Sequence, residues 1–485
     1  MSGVVVLGLL VGVVSTLLPR VAVELSLSIW LLVTLGVILA VAVSLTSIGL
    51  DRISLKRVGE RDQLPIVVGL AFFATQFSGV GVPWNPSSLV FLLLVIYWLA
   101  YRVMNPGEPL QLPPVSWLFL ALLAVMFLSL VGRDPGLLTG IFRHFAKFIS
   151  PVLVIDLLNT KRRLYKLTKF YLALMGCIGF VGIMQQVIWR STGVVLTLCE
   201  EGWAAYRGAL MRATGFAGHG NTYGEHVLIA GIVALFLLLW KGRQYSSRSL
   251  VLIVSMTLFA AYFSYSRLVW VAGAVGVCLI PLLLKPRSAP AWLGGGALAA
   301  AISLRLPVIG DTILEILTVG GEANFKSFTE RIGLIKRGVE VMIMYPIRGA
   351  GLRNFASYDY VPESFPVHNA QLMIGSELGW PGLLLYTALV VWVIVHLTVA
   401  FRASRDPEFK GLLGGLLLAC IVVAVLNQGS PMAYGLYMHH VFALGEAAAL
   451  VGLRSSRKRE RGTGPERGDD AEEAPPGRRG RDPNV

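Results

Sequence analysis

Residues 376–400 read SELGWPGLLLYTALVVWVIVHLTVA, and this stretch decides the fold class. From Leu378 to Phe401 it contains no Asp, Glu, Lys or Arg. A helix needs about 20 mostly apolar residues to cross the hydrocarbon core of a bilayer, and this run reads as such a span. The same signature recurs downstream at 411–427 and 433–453. Upstream it recurs at 4–18, 24–48, 64–80, 87–103, 115–131, 141–158, 168–189, 222–240, 249–265, 268–284 and 290–306. Several runs are short, so twelve to fourteen spans are expected. The fold class is an all-α polytopic membrane helix bundle, expected as one domain over 1–453.

Composition agrees. Of the 485 residues 55% are hydrophobic and only 14% charged, against about 25% charged in a soluble domain. The net charge of +14 would suggest nucleic acid in a soluble protein. In a membrane chain it is explained by Lys and Arg collected in cytoplasmic loops, and no nucleic-acid partner is expected. Cys177, Cys199, Cys278 and Cys420 form no CxxC pair, so neither a disulfide framework nor a metal site is implied. The first apolar run lacks a basic flank and a small-residue cleavage site, so no removable signal peptide is expected.

The basic residues test the register of the spans. Clusters occur at Arg52/Lys56/Arg57/Arg61, Lys161/Arg162/Arg163/Lys166/Lys169, Lys241/Arg243/Arg248, Lys285/Arg287, Arg402/Arg405/Lys410 and in the tail. With these spans all of them fall on one side, which the positive-inside rule makes cytoplasmic. Both termini are then expected on the cytoplasmic side of the cytoplasmic (inner) membrane. The tail 454–485 is rich in Arg, Gly, Pro, Asp and Glu, and is expected to be disordered.

The opposite face carries two long loops, about 190–221 and 307–371. In the second, Ser327-Phe-Thr-Glu330 has the form of a capping box. Ile332, Ile335, Val339, Met342 and Ile343 follow at helical spacing, and Pro346 stops the run. The pattern predicts an amphipathic helix over 329–345, either lying on the membrane surface or packed on the end of the bundle.

Arginines stand out on this outer side. Arg212 and Arg267 lie closest to spans, and Arg331 lies in the second loop. A guanidinium held near a low-dielectric region needs an anionic partner, and its planar fork suits phosphate oxygens. A headgroup-directed snorkel for Arg267 or a loop salt bridge for Arg212 is the plainer alternative. The seven histidines are scattered. His219 stands in Gly218-His-Gly-Asn221 and His368 in Pro366-Val-His-Asn369. No HExxH, GxSxG, P-loop or GxGxxG is present, so acid–base chemistry without a bound nucleotide or cofactor is expected.

These residues also carry a resemblance. The order Arg331…Pro346-Ile-Arg-Gly349-Ala-Gly351…His368-Asn369…Glu377-Leu-Gly379…Gly382 resembles the O-antigen ligase and O-antigen polymerase superfamily of bacterial membrane glycosyltransferases. Arg212-Ala-Thr-Gly-Phe216 with Asn221, and Ser264-Tyr-Ser-Arg267, resemble that family's upstream segments. The resemblance covers about 207–382. It implies a metal-independent transfer of a glycan from undecaprenyl diphosphate to an acceptor hydroxyl at the outer face. The acceptor is a lipid-A core sugar or another lipid-linked glycan, and membrane lipids are the remaining partners. His368 is the expected general base, and Arg212, Arg267 and Arg331 are the expected diphosphate-binding residues. Asn369 is expected to orient the histidine or a sugar, and Glu377 to cap its helix or hold the ring. Two competing readings are a lipid-linked glycan flippase using the intramembrane acids Glu24, Asp156, Glu225 and Glu446, and a peptidoglycan polymerase of the shape, elongation and division type using Asp359.

Overall fold

The computed structural model describes residues 69, 86–130, 138–195, 206–207, 210–217, 219–242, 244–295, 321–352, 354–355, 367–431 and 434–460. The expected spans 4–18, 24–48 and most of 64–80 and 290–306 lie outside the described residues, as do Glu24, Cys199 and Asp359. The elements are α1 (Pro86–Met104), α2 (Pro114–Leu130), α3 (Leu138–Leu157), α4 (Lys161–Thr192), a two-residue β1 (Tyr206–Arg207) and β2 (Leu210–Met211), then α5 (Gly220–Trp240), α6 (Ser247–Phe263), α7 (Arg267–Leu284), α8 (Gly321–Met344), α9 (Ala370–Ala403), α10 (Pro407–Leu426) and α11 (Leu436–Glu460).

Six helices are long and apolar enough to cross a membrane: α4, α5, α7, α9, α10 and Leu436–Arg457 of α11. The shorter apolar helices Pro114–Leu130 and Ser247–Phe263 pack among them. The protein is an integral membrane helix bundle, and each described α-helix except α8, which lies in the loop 307–371, falls on a run read from the hydropathy pattern.

The core lies around α5. Every residue from Tyr223 to Ala234 is buried, as expected for a helix that is apolar on all sides. It packs against α4, α6, α7 and α10. Small residues permit close crossings. A Cβ at Gly179 of α4 would lie 2.9 Å from the Met256 carbonyl of α6, so only glycine allows that approach. Two histidines seat α11 on α3: His440 Nε2 meets Ser150 Oγ at 2.9 Å, and His439 Nδ1 meets the Lys147 carbonyl at 3.1 Å.

The two ends of the bundle are sorted, and this bears on the register. At one end Lys161 pairs with Asp406 at 2.6 Å. Trp240 Nε1 donates to the Pro407 carbonyl at 2.7 Å, and the Gln244 amide donates to Glu408 at 3.3 Å. Arg102 pairs with the buried Asp156, and Ser456 Oγ donates to the Ala403 carbonyl at 3.2 Å. Loops carrying four of the six basic clusters therefore meet at a single end. The chain around Arg212, Ser264, Asn369 and Glu377 gathers at the other.

Two boundaries differ from expectation. Ser327–Glu330 does not start a helix; α8 begins at Gly321. Glu322, Ala323 and Lys326 are good helix formers and extend it through the local capping signal. The segment expected to be disordered from Arg454 continues as helix to Glu460. Its cluster of Arg and Lys suits the negative end of a helix dipole. Residues 461–485 lie outside the described residues.

Candidate active site

Residues 211–215 are held against the bundle by two glutamines in the last two turns of α4. Gln185 Oε1 accepts from the Thr214 and Gly215 amides, each at 3.0 Å, and Gln185 Nε2 donates to the Gly215 carbonyl at 3.2 Å. Gln186 Nε2 donates to the Met211 carbonyl at 2.8 Å. The Ala213 amide donates to the Phe263 carbonyl at 2.8 Å. Four neighbouring positions are thus fixed against the bundle, and Arg212 lies among them.

Arg212 is buried. Its Nε donates to the Ser264 carbonyl at 2.9 Å, and its Nη2 donates to Asn221 Oδ1. Gly220 closes over it, since a Cβ there would come within 2.7 Å of Arg212 Nε. The guanidinium therefore joins the first loop, the α6–α7 turn and the start of α5.

In that turn, Tyr265 has a φ of 47°, a left-handed conformation uncommon outside glycine. The fully buried ring is held from outside: Arg190 Nη2 donates to its hydroxyl at 2.9 Å and lies 5.6 Å from the Phe263 ring. Ser264 and Ser266 are buried. The turn leaves Arg267 half-buried as the first residue of α7.

The second loop is strapped to a break in α9. Gly379 interrupts that helix with φ 74° and ψ −170°, and the Trp380 amide donates to the Pro346 carbonyl at 2.8 Å. The Ala350 amide donates to the Ser376 carbonyl at 2.7 Å, and the Gly351 amide to the Glu377 carbonyl at 2.9 Å. The glycine-rich motif after α8 and the Glu377-Leu-Gly379 motif of α9 are therefore one structural unit. α8 packs on α9: a Cβ at Gly375 would lie 2.8 Å from Met342 Sδ, and Leu334, Ile335, Gly338, Val341 and Met342 form its less exposed face, which favours bundle packing for this face. Gly338 lies against Val367. Arg331 is on the same helical face as Gly338, two turns nearer the N-terminus.

His368 immediately precedes the N-cap of α9. Asn369 is that cap: its Oδ1 accepts from the Leu372 amide at 2.9 Å and its Nδ2 donates to Gln428 at 3.1 Å. Glu377, for which a cap was the favoured role, is instead buried two turns inside α9, where it accepts from the Tyr434 hydroxyl at 2.7 Å. The capping position was already taken by a residue with better local geometry.

His219 is the N-cap of α5, its Nδ1 accepting from the Asn221 amide at 3.0 Å. Burial, then the Arg212 charge, then His368, bring its pKa down to about 4. His219, Arg212 and His368 thus share one electrostatic neighbourhood. Partial desolvation and then the Arg267 charge lower the pKa of Arg331, although its side chain remains exposed on α8. Helices α5, α7 and α9 all begin here, with His219, Arg267 and His368 at or beside their first turns. Positive helix ends favour an anion and disfavour a protonated imidazole.

All six expected residues therefore lie at the same end of the bundle. Four contributors were not assigned to the site from sequence. Gln185 and Gln186 look like the polar edge of a span, Arg190 like a loop boundary, and His219 like an isolated histidine. An adjacent Gln pair ending a long apolar run was the available signal. Two of the other acids point elsewhere: Asp156 is paired at the opposite end and Glu446 accepts from His396 at 2.9 Å. The buried Glu225, in the second turn of α5, interacts with Ser430 just past α10.

No curated protein matches the chain. Residues 250–387, the segment from α6 to the break in α9, match the family model described as O-antigen ligase, which bears out the resemblance to the O-antigen ligase superfamily.

Proposed function

We propose that this protein transfers a glycan from undecaprenyl diphosphate to an acceptor hydroxyl at the outer face of the cytoplasmic membrane. The family match supports glycan transfer of the ligase or polymerase type. The single observation that supports the finer reading is that the starts of α7 and α9, which carry Arg267 and His368, both pack on the end of α10: the Ala370 amide donates to the Asn427 carbonyl at 2.8 Å and a Cβ at Gly429 would lie 2.9 Å from Leu268, while Arg212 is held by the Ser264 carbonyl beside Arg267.

A sugar hydroxyl is a weak nucleophile. In the proposed step its oxygen attacks the anomeric carbon and a new C–O bond forms. The bond from that carbon to the diphosphate oxygen breaks, and its electron pair leaves with the diphosphate. His368 takes the hydroxyl proton. The imidazole must be neutral to do so, as an unprotonated ring nitrogen is what accepts the proton. Arg267 and Arg331 meet the charge developing on the leaving group, where fixed cations stabilise the transition state more than the ground state. Arg212, with two donors already committed, adds fixed charge and holds the Arg267 turn. No step uses a metal.

The test uses purified protein in nanodiscs with a lipid-diphosphate glycan donor and a glycan acceptor. His368→Ala is expected to slow lipid-diphosphate release by about 10²–10⁴-fold without changing the melting temperature. Native rates in that variant would remove His368 from the role of base. Donor movement across liposomes with no diphosphate release would replace transfer with transport.

A further inference from the structure

Helix α8 is apolar on two faces. One packs on α9. The other carries Ile332, Val339 and Ile343, spaced seven and four residues apart, and Ile332 and Ile343 are exposed. Past its end the pattern continues. Ile343 is 65% exposed, Met344 62% and Ile347 73%. Solvated corners seldom present three large apolar side chains together, and such a patch marks a contact surface.

The neighbours of this corner identify what covers it. The Pro346 carbonyl accepts from Trp380, so the corner is fixed at the level of Trp380, itself 43% exposed. Below Trp380, Leu384, Val391, Val395 and Val399 are exposed along one face of α9, a membrane-crossing helix. That face meets lipid, and the corner continues it without a polar break. Depth agrees. The 21 residues from Pro381 to Phe401 carry no Asp, Glu, Lys or Arg and span about 32 Å at about 1.5 Å per residue, close to the thickness of the hydrocarbon core. Arg402 then marks one boundary and Trp380 the other, where aromatic residues concentrate. Arg337 and Glu340, ion-paired at 2.7 Å, lie on a different exposed sector of α8.

We infer that the corner built by Ile343, Met344 and Ile347 is a membrane-inserted anchor, seated beside Trp380 among the lipids of the leaflet on the site's side. It takes phospholipid acyl chains at the headgroup boundary, as interfacial amphipathic helices do. The anchor fixes the height of α8 above the membrane and hence the height of Arg331. The inference rests on exposure, depth and continuity with α9, and holds whatever reaction the site performs.

The experiment uses the full chain with Cys199→Ser and Cys278→Ser, reconstituted in phosphatidylethanolamine and phosphatidylglycerol nanodiscs. An environment-sensitive thiol fluorophore is placed at Ile343→Cys, at Ile347→Cys or at the reference Arg337→Cys. Shallow doxyl-labelled lipids are expected to quench the first two at least about twofold more than the reference, and aqueous iodide to do the reverse. The inference is overturned if iodide reaches all three equally, or if neither quencher reaches 343 and 347, which would mean that protein covers the corner. Photo-crosslinking of the native chain with diazirine-acyl phospholipids gives a second reading independent of the substitutions. Adducts on the peptide containing 343–347 support the anchor, and their absence alongside adducts on 384–399 overturns it.

Discussion

Replacing Gly349 with alanine should detach the segment 346–351 after α8 while leaving the bundle intact. Gly349 has a φ of 60°, where an L side chain costs about 1–2 kcal/mol. A Cβ there would lie 2.3 Å from the Glu377 carbonyl carbon and 2.5 Å from the Leu378 nitrogen. Those atoms are backbone of α9 and cannot retreat as a flexible side-chain tip would. The loop must lift instead, giving up the hydrogen bonds from the Ala350 and Gly351 amides, each contributing about 1 kcal/mol net. The total is about 3–4 kcal/mol, all of it local. Helices α4, α5, α6, α10 and α11 are not part of the strap, so thermal unfolding in detergent should change little. Hydrogen exchange at 346–351 should accelerate by about 10²-fold or more, and glycan transfer should fall with it as Arg331 loses its position. Gly333→Ala is the control, since nothing lies within 4 Å of a Cβ there and the helix gains about 0.5–1 kcal/mol. A Gly349→Ala protein with slow exchange at 346–351 and native transfer would refute the argument.

Two further outcomes can be checked. His219 has a folded pKa of about 4, below its ordinary 6.5, so the native state keeps it neutral. Stability from this group is complete above about pH 6.5 and is lost as pH falls toward 4, on the order of 3 kcal/mol. Melting temperatures between pH 7 and 4 should fall less steeply for His219→Asn, which retains a good cap, and equal slopes would contradict the assignment. Gln185→Leu should strand the buried Thr214 and Gly215 amides at about 1–3 kcal/mol each and free the Arg212 segment. Protease cleavage near 210–217 should then rise and transfer should drop, whereas native resistance to protease would show that the clamp is dispensable.

The membrane class and the helix positions were legible because apolar runs of span length are a one-dimensional property of the chain. Residues 376–400 announce α9 from composition alone, and the basic clusters, being near span ends, sorted the loops to two faces. Boundaries were less legible. Ser327–Glu330 has a capping pattern, yet good helix formers precede it and α8 starts at Gly321. Glu377 was readable as an acid near a helix start, but Asn369 occupies the cap and Tyr434 binds the Glu377 carboxylate.

By itself, then, the sequence determined that this is a polytopic helical membrane protein with arginines and a histidine gathered on one face, because hydropathy and charge bias act span by span. Only the tertiary structure decided which of those residues meet. Arg212 reaches Ser264 and Asn221, Gln185 holds the segment that carries it, and Gly379 receives the loop after α8. These contacts join residues from nine to more than fifty positions apart, through side chains, backbone carbonyls and glycine gaps that leave no periodic trace in the chain. The opening stretch shows both sides of this. Its apolar run names a span, while its Gly379 reads as an ordinary small residue until the fold places the Pro346 carbonyl against it.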